Sequence, residues 1–92
     1  MKENIPAPKV YVDVEVHFDS DGHMRPASLT WEDGKSYTID RVTGVRRAMS
    51  QKAGGYGDRY TIIVAGQQRY LYYEHSIYVD DVRPGRWFME RK

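Results

Sequence analysis

The chain has 92 residues, a net charge of +1 and no cysteine. A chain this short forms one domain with a thin core, because it buries only about 60% of the surface exposed by its unfolded form. Secreted domains of this size usually depend on disulfides or a metal, so the lack of cysteine predicts a cytoplasmic protein. The first residues resemble no signal peptide, and no stretch reaches the roughly 18 apolar residues of a membrane span.

Charge is unevenly distributed along the chain. Residues 10–23 carry four acidic side chains and no Lys or Arg, whereas residues 41–59 carry five basic side chains and one acid. Residues 83–92 are also basic. Two interpretations follow: the segments neutralise each other across paired strands, or the basic one attracts an anionic partner.

The strongest structural pattern lies near the start. Residues 1–8 contain two prolines and no periodicity, which predicts a flexible arm before a single β domain at residues 9–92. From Val10 to Phe18, apolar residues alternate with polar ones. A period of two with β-branched side chains predicts a strand with one buried face.

Turn signals then divide the chain into short strands. Asp19 to Gly22 and the Asp33-Gly34 pair favour tight turns. Strands are expected at residues 28–31, from Tyr37 to about Val42, and then at 59–65, 69–74 and 87–89, and the link at 75–85 can include a short strand at 77–79. The sequence therefore predicts an all-β antiparallel meander of five or six short strands, which can curl into a small half-open barrel of the SH3-like kind.

Residues 43–57 break this pattern. They are basic and rich in glycine, and one or two helical turns can form between residues 46 and 52. Long loops without regular structure are uncommon in compact domains and often carry function.

The expected core combines the inward-facing positions of these strands. Its members are Val10, Val12, Val14, Val16, Phe18, Leu29, Trp31, Ile39, Ile62, Val64, Leu71 and Trp87.

Catalytic and metal sites find little support in the sequence. His17, Asp19, Asp21 and His23 lie close together, but a calcium loop needs further oxygen ligands and a zinc site needs three or four converging ligands. No serine lies in a nucleophile-elbow motif, and Gly54-Gly55-Tyr56-Gly57 lacks the Lys of a phosphate-binding loop. We therefore expect no catalytic residue, no metal site and no cofactor.

The remaining signal combines basic and aromatic residues. Tyrosines can stack on nucleic-acid bases, but the isoelectric point near 8.0 is low for a nucleic-acid-binding domain. We expect a non-catalytic binding module, with a protein partner or self-association favoured. The alternative is an accessory protein that binds single-stranded nucleic acid through residues 41–73. The candidate partner-binding residues are Arg46, Arg47, Lys52, Tyr56, Arg59 and Arg69.

Several motifs together resemble a known group. They are the Trp31-Glu32-Asp33-Gly34-Lys35-Ser36-Tyr37 hairpin, the Gly54-Gly55-Tyr56-Gly57 segment and the closing Trp87-Phe88-Met89. The chain resembles a family of small uncharacterised bacterial proteins with a Trp-x-Asp-Gly-x-x-Tyr hairpin, a Gly-rich middle and an aromatic C-terminal strand. The resemblance spans roughly residues 10–90 and implies no activity, so it assigns no site residue.

Overall fold

The computed structural model describes residues 9–49, 56–75 and 84–91. These residues form one antiparallel sheet of seven strands and contain no helix, which confirms the all-β antiparallel prediction. The strands are β1 Lys9–Phe18, β2 Met24–Thr30, β3 Ser36–Thr38, β4 Arg41–Met49, β5 Tyr56–Val64, β6 Gln67–His75 and β7 Gly85–Glu90. The predicted arm at 1–8 and the predicted strand at 77–79 lie outside the described residues.

The sheet curls because its two edge strands follow each other in the chain. Its order is β3-β2-β1-β7-β6-β5-β4. Between β3 and β4, the backbone N–H of Ile39 donates to the carbonyl of Ala27 on β2, and the N–H of Asp40 donates to the carbonyl of Ile63 on β5. The chain thus leaves one edge of the sheet and joins the other within two residues. The result is the half-open barrel that the sequence predicts.

The core fills the concave side of this sheet. Trp87 lies at its centre, with its ring centroid 5.1 Å from that of Tyr60 and 4.9 Å from that of Tyr73. Most of the predicted core is confirmed, since Val14, Trp31 and Val64 are partly buried against the cluster. The buried members are Val10, Val12, Leu29, Ile39, Tyr60, Ile62, Leu71 and Trp87.

The core prediction is wrong for Val16 and Phe18, which are 37% and 64% exposed. β7 pairs only with the first part of β1, from Lys9 to Val12. Beyond Val12, β1 pairs with β2 alone among the described residues, and the register shifts between Glu15 and Val16. This part of the β1–β2 hairpin therefore extends beyond the core, although β1 still alternates apolar and polar residues there.

The helical turn expected within 46–52 is also wrong over residues 46–49, which belong to β4. β4 pairs along its length with β5, ending with Met49 opposite Tyr56. Alternate residues of β4 thereby gain cross-strand hydrogen bonds, whereas a helix of one or two turns is marginal without packing. Residues 50–52 lie outside the described part.

Because the predicted third strand also divides at Ile39, the sheet has more strands than expected.

Candidate functional site

The basic segment of the sequence forms an edge strand. β4 is the last strand of the sheet, and β5 is its only strand neighbour among the described residues. An edge strand presents a row of backbone N–H and carbonyl groups to which another strand can bind. β4 carries Arg41, Arg46 and Arg47 and no acidic residue.

A bulge limits the free part of this edge. Val42 pairs with Ile62 and Gly44 with Thr61, so Thr43 is the extra residue. Bulges twist an edge strand and interrupt its pairing, which protects the strand locally. The regular free edge is therefore residues 44–49, hereafter the β4 edge. Within it, the side chain of Val45 is 54% exposed.

A row of side chains crosses the convex face from this edge. Arg46 lies opposite Arg59, Arg59 opposite Tyr72, Tyr72 opposite Phe88, and Phe88 opposite Tyr11. Tyr72 and Phe88 stack with centroids 5.0 Å apart and planes inclined by 6°, and Phe88 is only 1% exposed. The row is thus cationic at β4 and β5 and becomes a closed aromatic cluster further along.

The more exposed rings of this face already contact guanidinium groups. Tyr70 is 41% exposed, and the guanidinium of Arg59 lies 4.4 Å from its ring centroid. Tyr11 is 38% exposed, and Arg86 lies 3.3 Å from its ring centroid. Each of these cation–π contacts occupies one ring face that a base could otherwise use for stacking.

Two of the predicted site residues, Arg46 and Arg59, come together on the convex face. Arg47 projects from the other side of β4, where its Nε lies 3.8 Å from a carboxylate oxygen of Asp58. The other oxygen of Asp58 lies 3.0 Å from Nε2 of His75. The two neighbouring arginines therefore have different surroundings, since Arg46 has no carboxylate partner among the described residues.

The remaining predicted site residues do not join this pair. Arg69 donates a hydrogen bond of 2.6 Å to Oε1 of Gln67 at the opposite end of the barrel. Tyr56 begins β5 opposite Met49, and Lys52 lies outside the described residues. The six candidate residues thus do not form one continuous site.

Arg69 instead borders an open groove of about 700 Å³ at that end of the barrel. Apolar side chains form much of its wall, and the Arg91 guanidinium donates to Glu32 at the rim over 2.8 Å. The apolar lining consists of Leu29, Trp31, Tyr37, Val64, Ala65 and Met89.

The acidic part of the chain lies on the second half of β1. Residues 13–18, hereafter the β1 limb, pair only with β2 among the described residues. Asp13 and Glu15 continue the convex face of Tyr11, while Val16 and Phe18 continue the concave face of Val12. The sequence did not predict the exposed apolar residues of this limb or of Val45. One signal for the limb was present: the apolar alternation from Val10 to Phe18 is longer than a strand that a small core can cover.

The acidic and basic segments do not neutralise each other within the described part of the fold. The ion pairs of these two segments join Asp19 to His23 and Asp58 to Arg47 and His75. None connects a described residue of 10–23 with a described residue of 41–59. Asp13, Glu15, Arg46 and Arg47 are all exposed.

Asp19, Asp21 and His23 bring one ligand atom each to within 4.8 Å of the others. Asp19 Oδ1 already accepts hydrogen bonds from the backbone N–H groups of Asp21 and His23. The N–H of His23 in particular holds the pKa of Asp19 below its usual range. The role of the Asp19 carboxylate is therefore to close the β1–β2 turn.

Burial raises the pKa of three tyrosines, Tyr60, Tyr72 and Tyr73. Tyr60 and Tyr73 flank Trp87 in the concave cluster, where a charged phenolate is disfavoured. These rings stabilise the core rather than form an accessible surface, as the buried position of Tyr60 shows.

Comparison of the chain with protein-family models, with curated proteins and with solved structures gave no match. The resemblance to small bacterial proteins therefore rests on its motifs alone. Within the described residues, no helix has the length and apolar character needed to cross a membrane.

Proposed function

We propose that the chain is a non-catalytic protein-binding module that takes an extended acidic segment of another polypeptide onto its β4 edge. The observation that carries this proposal is that β4 ends the sheet with one side unpaired among the described residues. Strand addition obtains affinity from main-chain hydrogen bonds and specificity from alternate side chains. The lack of cysteine favours a reducing, cytoplasmic setting for such a module.

Side chains along β4 favour an acidic occupant. Arg46 and Arg47 project to opposite sides of the strand, so an added strand meets a cation on either face. Arg46 has no described carboxylate partner, and Arg59 directly opposite adds a second positive charge. Val45, the residue before Arg46, gives the added strand an apolar contact, because about half of its side chain is exposed.

The convex face gives less support to single-stranded nucleic acid. Arg46 and Arg59 supply cations for phosphates, but a guanidinium group already occupies one face of the Tyr11 ring and one face of the Tyr70 ring. Tyr72 is buried in the aromatic cluster. Binding of this kind relies on open aromatic faces as well as charge, so a protein partner is favoured.

Photocrosslinking in the protein's own cells tests the proposal. A benzoylphenylalanine side chain at Thr43, which is exposed beside the β4 edge, should form a protein adduct that survives nuclease treatment. The matched control places the same side chain at Lys35, which is exposed in the β2–β3 turn.

The two positions separate the outcomes. A nuclease-resistant adduct at Thr43 that is absent at Lys35 supports the β4 edge as a protein site. An adduct lost on nuclease treatment supports nucleic acid instead, and equal yields at both positions refute a specific edge.

A further inference from the structure

This inference rests on the proposed function and names the partner. We infer that the occupant of the β4 edge is the β1 limb of a second copy of this chain, so that one sheet continues from copy to copy. The limb and the edge each have one free side among the described residues. They also have similar lengths of six residues each.

On the convex face, opposite charges favour binding of the β1 limb to the β4 edge. Asp13 and Glu15 lie on the same face as Tyr11. Arg46 also lies on this face, because successive cross-strand pairs connect it to Tyr11. An antiparallel register that places Glu15 opposite Arg46 leaves Asp13 diagonal to the same arginine. Cross-strand neighbours of opposite charge stabilise a sheet and fix its register.

The same register matches the concave face. With Glu15 opposite Arg46, Val16 lies opposite Val45. Both valines are among the most exposed apolar side chains of the described structure. Arg47 then lies opposite Val14 and keeps the acidic partner that it has within its own chain. One register thus joins opposite charges on one face and brings two exposed valines together on the other.

Pairing of two β4 edges with each other is disfavoured. A two-fold arrangement brings Arg46 and Arg47 of both copies together, and like charges in neighbouring positions oppose association. Joining the limb to the β4 edge uses two different surfaces, so two joined copies together keep one unused limb and one unused edge. Contacts of this type grow into rings or open chains.

Charge reversal provides the test, with sedimentation velocity as the measurement. The wild-type chain should assemble at low salt and dissociate as salt screens the contact. Arg46→Glu alone and Glu15→Lys alone should each weaken assembly by about tenfold or more, because each places like charges in contact. Lys35→Glu, an exposed charge reversal in the β2–β3 turn, should assemble like the wild type.

The decisive sample is an equimolar mixture of the two weakened variants. Every junction between alternating copies again joins opposite charges, so the mixture should recover assembly near the wild-type level. Recovery also shows that both variants are folded. A mixture that assembles no better than its components overturns the inference, and so does a wild-type chain that stays monomeric at about 1 mM, the weak end of specific association.

These outcomes remain distinct from failure of the proposed function. If the wild-type chain is monomeric while Thr43 forms a nuclease-resistant adduct with another protein, the edge binds protein and the self-association inference falls. If Thr43 forms no specific adduct and the chain is monomeric, both fall.

Discussion

Arg46 on β4 lies directly opposite Arg59 on β5, so two guanidinium groups share one cross-strand position of the convex face. Arg59 is offset by the ring of Tyr70, whereas Arg46 has no described acidic partner. Like charges in this position destabilise an isolated sheet. The pair therefore does not stabilise the single chain, and an anionic occupant of the β4 edge, as proposed above, would offset its charge.

Arg46→Glu should stabilise the monomer, because it replaces repulsion with attraction across β4 and β5. We expect the free energy of unfolding to rise by about 0.5–1 kcal/mol in urea denaturation at low salt, with most of the gain lost at high salt. Arg46→Gln, which removes repulsion without adding an ion pair, should give about half the gain. A loss of stability in both variants would show that Arg46 supports the fold.

Gly57 on β5 should not tolerate a side chain. A β-carbon there would overlap the backbone carbonyl of Tyr73, which cannot move without disturbing β6. Gly57→Ala should therefore lower the free energy of unfolding by about 1–3 kcal/mol or more. Gly44→Ala is the matched control, since a β-carbon there meets no atom within 4 Å. Equal stabilities of the two variants in urea would contradict this account.

Local signals predicted the half-barrel well. The alternation from Val10 to Phe18 and the Asp33-Gly34 turn identified β1 and the β2–β3 hairpin, because both depend on neighbouring residues alone. These local signals could not show at which residue a strand extends beyond the core. Val16 and Phe18 satisfy the same pattern as Val12, and only the short reach of β7 leaves them exposed.

The β4 edge was harder to predict for the same reason. Gly44 has weak strand propensity and arginine is not among the strand-favouring residues, so the strand forms because β5 supplies partners 7 to 17 positions away for residues 44–49. Arg46 and Arg59 were both expected at a binding surface, but their direct opposition depends on the bulge at Thr43. Arg69 has the same charge but lies at the other end of the barrel. Its position could not be predicted, because amino-acid composition does not show which end of a strand faces a site.

Trp87 should contribute more to stability than any exposed aromatic residue. It is buried between Tyr60 and Tyr73, so Trp87→Ala should cost about 3–5 kcal/mol of unfolding free energy. Trp31 is only partly buried, and Trp31→Ala should cost less. Phe18→Ala is the control and should change stability by less than about 0.5 kcal/mol. A large loss at Phe18 would mean that the β1 limb is covered in the monomer.

Glu74 should make stability depend on pH. Partial burial acts to raise its pKa, but hydrogen bonds from Lys9 Nζ at 2.7 Å and the Tyr11 hydroxyl at 2.8 Å outweigh burial, so the pKa lies below its usual value of 4.5. A pKa lowered by folding contributes stability above the unfolded value, and that contribution is lost as pH falls through the folded value. The wild type should thus be more stable than Glu74→Gln at pH 7, and the difference should shrink as pH falls below about 5 in urea denaturation. Lys9→Met removes the main donor and should flatten the same part of the profile. A difference between wild type and Glu74→Gln that stays constant down to about pH 3 would contradict a charged role for this carboxylate.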